Sequence, residues 1–176
     1  MKHARTVFLA LGLAVLVVCV GTAAANDQRK RNEVVRARLA GVQEVPSIST
    51  PAGGRFRAVI DEDAGMITYT LTYEGLEAAV QQAHIHVGQH HTNGGISAFL
   101  CSNLGNGPAD TQACPNAPAE ITGTIMSAAV VGPAGQGVAA GEFAELLAAI
   151  RAGAAYANVH TEKFPGGEIR GQIRGD

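Results

Sequence analysis

The stretch "MITYTLTYEG", residues 66 to 75, alternates without interruption: Ile67, Tyr69, Leu71 and Tyr73 fall on one side, Met66, Thr68, Thr70 and Thr72 on the other. A period of two over this length is the mark of a strand with one buried and one wet face. Upstream, "RFRAVID" (55 to 61) sets Phe56, Ala58 and Ile60 against Arg55 and Arg57, and the turn sequence "DEDAG" joins the two runs as a β-hairpin. "VVRARLA" (34 to 40) opens the domain, and further strands are expected at about 80–87, 96–101, 120–126, 155–161 and 168–174. One segment breaks the pattern. "GEFAELLAAIRAG" (141 to 153) places Phe143, Leu146, Leu147 and Ile150 at helical spacing, with Gly153 as its stop. Short strands, 22 glycines and no β-α alternation point to a mainly β fold. The expectation is an antiparallel, Greek-key-like β-sandwich of about eight strands with one short helix before the last two.

The start of the chain reads as a targeting segment. Lys2 and Arg5 precede an apolar run over 7–20, and Ala23-Ala24-Ala25 forms a small-residue exit before Asn26. That is the layout of a cleaved signal peptide over 1–25, and the run is shorter than the roughly 20 residues a bilayer span needs. The protein is therefore expected to be secreted or periplasmic, with no membrane span after cleavage. Residues 26–35 are charged and read as a flexible lead-in, and 36–176 as the domain. The whole chain carries 13 basic and 15 acidic residues, and removal of Lys2 and Arg5 makes it more acidic, which argues against a nucleic-acid partner. Cys101 and Cys114 enclose twelve polar, turn-rich residues. An oxidising compartment favours a disulfide there, the alternative being two soft metal ligands. The Gly-rich "VVGPAGQGVAAG" (130 to 141) lacks the Lys and Ser/Thr of a phosphate cradle.

The chemistry concentrates in "AHIHVGQHH" (83 to 91), which holds four of the six histidines. On a strand, His84 and His86 share a face opposite Ala83, Ile85 and Val87. Two imidazoles cannot close a metal site, and a third is available in "AYANVHT" (155 to 161), where His160 shares a face with Tyr156 and Asn158. Three neutral imidazoles without a cysteine suit copper, or zinc with an open coordination position. The alternative is that all three are half-exposed polar residues bonded to backbone.

Three stretches together, "LAGVQEVPSISTPAGG" (39 to 54), "AHIHVG" (83 to 88) and "YANVHTEKFPGGEIRGQI" (156 to 173), resemble the CHRD domain, a module named after chordin and common in secreted bacterial proteins. The resemblance runs from about Arg38 to Arg174 and implies a secreted, mostly β domain, with little said of activity. The chain departs from the pattern in "GQHHTNGG", which adds His90 and His91, and in the segment from Cys101 to Cys114, which reads as an insertion. A more distant similarity is to copper-zinc superoxide dismutases, in the order "HIH", "NVH", "PGGEIR". It implies His84, His86 and His160 as copper ligands, Arg170 as the catalytic, anion-guiding arginine and superoxide as the small-anion substrate. His90 or His91 would be a fourth ligand. Arg170 has a plainer reading as a surface arginine paired with Glu168 or Glu162. Glu44 is either the hydrogen-bond partner of a ligand histidine or an edge carboxylate, and Glu168 poses the same choice. Three functions follow: a copper-binding domain with superoxide dismutase activity, a non-enzymatic metal carrier or buffer, and a metal-free extracellular structural or protein-interaction module.

Overall fold

The computed structural model describes residues 32–175. The signal-peptide reading over 1–25, and the part of the lead-in before Asn32, lie outside the described residues. Nine strands are formed: β1 (Asn32–Ala40), β2 (Gly53–Asp61), β3 (Met66–Glu74), β4 (Val80–Val87), β5 (Gly95–Ser102), β6 (Ala119–Ile125), β7 (Ala155–Thr161), β8 (Ile169–Gln172) and β9 (Arg174–Gly175). Among the described residues one α-helix, α1 (Phe143–Arg151), precedes the last three strands. β1 begins inside the segment expected as a lead-in, because Val34 and Val35 find partners in Val59 and Ala58.

The alternation of residues 66–75 decides the register as expected. Phe56 pairs with Leu71, Ala58 with Tyr69 and Ile60 with Ile67 across the β2–β3 hairpin, so their apolar sides coincide and are buried together. The strands hydrogen-bond in the order β5-β4-β7-β8-β1-β2-β3-β6, with β9 added against β1. Every pairing is antiparallel. The two halves meet along a thin seam, a single pair between Ala40 of β1 and Arg170 of β8. There the sheet folds over. Its inner faces share one apolar cluster, in which Phe56, Ile67 and Leu71 of one half join Ile85, Leu100 and Val159 of the other. The Tyr69 hydroxyl crosses the sandwich to donate to the Leu100 carbonyl at 2.8 Å.

The segment expected as one last strand is broken. Ile169–Gln172 pairs with β7, Ile173 bonds through its N–H to the Ala155 carbonyl, and Arg174–Gly175 moves over to β1. The helix forms where its stripe predicts. Nine residues are too few to be stable alone; burial of Leu146, Leu147 and Ile150, roughly 1.5–3 kcal/mol each, holds it. Gly153 ends it at φ 67°, in the left-handed region. Arg151 then pairs with Glu33 at 2.9 Å and Glu62 at 2.8 Å. Cys101 and Cys114 are joined as a disulfide, S–S 2.01 Å, which removes the alternative of two soft metal ligands. It ties the end of β5 to the loop before β6.

Candidate metal centre

β4 and β7 are neighbours, and their register sets His84 opposite Asn158, His86 opposite Tyr156 and His160 opposite Gln82. Directly opposed residues share a face, so His84, His86 and His160 stand on the same side, away from Ile85 and Val159. Ring centroids are 5.0 Å apart for His84–His160, 5.3 Å for His84–His86 and 5.9 Å for His86–His160. One nitrogen of each ring lies within 4.8 Å of the others. The three imidazoles do meet.

This face is not wet. His84 is fully buried and His86 and His160 are 7% and 6% exposed, which overturns the alternative reading of half-exposed rings. Phe99 of β5 packs edge-on to His84 at 4.5 Å, and Tyr156 stacks flat on His86 at 4.8 Å. Loops supply the rest of the cover. The 88–94 loop brings the Gly94 carbonyl to His86, and the 162–168 turn brings the Pro165 carbonyl to His160. Asn93 donates to the Val45 carbonyl at 3.0 Å, joining the 88–94 loop to the segment after β1.

Those carbonyls decide the tautomers. A carbonyl only accepts, so Nδ1 of His86 and Nδ1 of His160, each 3.0 Å from one, carry the protons. Both Nε2 atoms are left as lone-pair donors. His160 Nε2 accepts a hydrogen bond from His84 Nδ1 at 3.2 Å, a spacing close to the roughly 3.3 Å between two nitrogens at tetrahedral angles about 2.0–2.1 Å from one ion. A metal shared by this pair would take the place of the His84 proton. His84 Nε2 and His86 Nε2 are both buried with no hydrogen-bond partner, which is costly unless something takes their lone pairs. Protons do not compete. Burial, aided by the neighbouring His160 and His86, pushes the His84 pKa down to about 2. Burial pushes His86 down to about 4 against the Gly94 hydrogen bond, and lowers His160 against that of Pro165. At neutral pH all three rings are neutral, the form that binds a metal. On donor type and spacing, the cluster fits a metal ion.

The CHRD domain family model matches residues 35–173. This chain belongs to the CHRD domain family. No curated protein and no solved structure matches it, so the similarity to copper-zinc superoxide dismutases rests on the order of the sequence motifs alone. All three histidines of this CHRD domain, and the polar residues around them, fall inside the matched span.

Arg170 of the CHRD domain is 2% exposed. It donates to the Thr92 carbonyl at 2.8 Å and the Gln89 carbonyl at 2.9 Å, and its guanidinium lies 3.5 Å from the Tyr156 ring centre. It therefore clamps the loop that ends at Gly94, in place of the expected surface pairing with Glu168 or Glu162. The buried Glu168 carboxylate instead accepts from the hydroxyls of Thr50 (2.8 Å) and Thr161 (2.7 Å) and from the Glu77 N–H (3.0 Å). Glu44 accepts from Asn158 Nδ2 at 2.6 Å and not from a ligand histidine. Burial raises its pKa to about 7, against the Asn158 hydrogen bond and the Arg170 charge. Gly167 passes so close that a Cβ there would lie 2.7 Å from both Asn158 Nδ2 and Glu44 Oε1. His90 and His91 form an exposed edge-on pair, 4.1 Å between ring centres, and are not members of the three-histidine group. Phe99, the Gly94 and Pro165 carbonyls and Asn158 are the partners that sequence reasoning did not assign. The "FPGGE" turn held the one readable trace of them, a glycine pair directly after the proline.

Proposed function

We propose that this CHRD domain is an extracytoplasmic copper-binding protein that holds one copper ion through one ring nitrogen each of His84, His86 and His160. The observation that carries the reading is the buried, unpartnered Nε2 of His86, in a three-histidine cluster where backbone carbonyls hold His86 and His160 with their protons on Nδ1. Copper is preferred to zinc because divalent copper stands above zinc in affinity for nitrogen ligands. The disulfide and the leader-like residues 1–25 support the compartment.

Bound copper would supply one-electron redox chemistry, including the dismutation of superoxide that the motif order implies. The chain's own contribution is separate from it. His86 and His160 are oriented through Nδ1, Phe99 and Tyr156 exclude water, and three imidazoles leave a coordination position open. Near-complete burial of the rings favours retention of the ion over rapid encounter with a dissolved anion, so carriage or buffering is the reading ranked first. Elemental analysis and electron paramagnetic resonance of the copper-loaded protein test it. One equivalent with nitrogen hyperfine structure, lost in both His84→Ala and His160→Ala, is the expected result. Undiminished copper binding in both variants would overturn the site. A superoxide assay on the fully loaded protein then separates turnover from holding.

A further inference from the structure

The outer face of the β1-β2-β3-β6 half carries a feature the metal site does not use. Arg36 and Arg38 alternate with buried Val35, Ala37 and Leu39, and Arg55 and Arg57 alternate with buried Phe56 and Ala58, so all four arginines point outward. The register sets them directly opposite each other, Arg36 with Arg57 and Arg38 with Arg55. β9 adds Arg174 opposite Arg36. Opposed residues on one face sit about 4.5–5.5 Å apart at Cα, and like charges in that position destabilise a sheet. The guanidinium groups of Arg38, Arg55, Arg57 and Arg174 make no ion pair with another described residue. In a chain with more acidic than basic residues, this is placement and not surplus. Three more cations, Arg29, Lys30 and Arg31, directly precede β1 in the sequence.

The rows continue across the sheet as hydroxyls. Arg57 is followed by Thr70 and Thr122, Arg55 by Thr72 and then Glu120, and Val59 by Thr68 and Thr124. No aromatic ring stands in these rows. A groove of about 870 Å³ lies at one end of the face, with Arg38, Arg55, Thr72 and Glu120 in its lining. We propose that this face binds an acidic polysaccharide: the arginines take its carboxylate or sulfate groups, and the threonine rows take its hydroxyls. Guanidinium groups suit such anions through paired N–H donors. A single-stranded nucleic acid would call for aromatic stacking platforms, and a lipid surface for inserted apolar side chains. The rows hold no aromatic ring, and their one apolar side chain, Val59, is half-buried.

The test measures binding of the purified protein to polygalacturonate, dextran sulfate and neutral dextran, with duplex DNA and phosphatidylglycerol vesicles alongside. Binding to the two acidic glycans that weakens with salt, and none to neutral dextran, is expected. The triple variant Arg38→Gln/Arg55→Gln/Arg57→Gln binds them about tenfold more weakly, the scale of losing three exposed ion pairs. Its Tm stays equal or rises, because opposed like charges are gone, and its copper content is unchanged. Thr122→Val/Thr124→Val weakens binding to polygalacturonate but not to polyacrylate, a polyanion without hydroxyls. Equal binding by the parent and the folded triple variant would overturn the face, and tighter binding to DNA or vesicles than to polygalacturonate would overturn its occupant.

Discussion

At His84 and His86, alternation with apolar residues reads the same whether the opposite face is wet or covered, and what covers it determines the chemistry. Phe99 and Tyr156 close over these rings and shield their nitrogens from water. Removing one ligand, as in His86→Ala, should lower copper affinity by at least about 100-fold in a competition titration, since outer partners alone are worth 10–100-fold. Arg170 offers a sharper distinction. As the clamp on the loop that presents Gly94, its replacement by Gln should cost copper affinity about tenfold, whereas a purely anion-guiding arginine would leave affinity unchanged and lower only superoxide turnover. Glu44 gives a pH dependence with a definite sign. Its pKa is raised to about 7 by burial, so the folded protein binds this proton more tightly than the unfolded chain does. The stability it contributes is therefore complete below its unfolded value of 4.5 and is lost as pH rises through about 7. Thermal melts of the metal-free protein should show Glu44→Gln gaining on the parent over that window; parallel profiles would refute it. Gly167→Ala, at φ 126° with Glu44 and Asn158 in the way, should destabilise by about 1–3 kcal/mol in urea unfolding.

Among the elements, the β2–β3 hairpin and α1 were legible because each carries its own period, two in one case and 3.6 in the other. The last strand was not. Residues 168–174 keep a strand-like pattern, but the chain changes partner at Ile173, and a change of hydrogen-bonding partner leaves no trace in local periodicity. The segment between Cys101 and Cys114 depends on its staple and on Asn103, whose side chain reaches the Val80 and Cys114 carbonyls. Replacing both cysteines by alanine should cost about 3 kcal/mol, the scale for closing a loop near this length, read from the urea midpoint. Copper stoichiometry should be unaffected, since neither sulfur belongs to the histidine cluster.

Under the two proposals, the molecule puts two jobs on two surfaces: a loop-covered face over β4 and β7 for the metal, and an open arginine face on the other half. Binding to the native state alone raises stability by mass action, about 2.7 kcal/mol at a hundredfold excess over Kd. Copper should accordingly raise Tm in the parent and not in His160→Ala, and a chelator should reverse the shift. By itself the sequence determined most of the strands, the helix, and the shared faces of His84 with His86 and of Arg55 with Arg57, because each follows from a short-range period within one element. Only the tertiary structure decided that β4 and β7 lie side by side, that loops from three places seal the histidine face, and that Arg170 serves a loop. The strand pairing and the Arg170 clamp are contacts across 76 and 78 residues, which no local period records. The carbonyls that hold His86 and His160 come from only 8 and 5 residues away, but from turns whose path strand alternation does not specify.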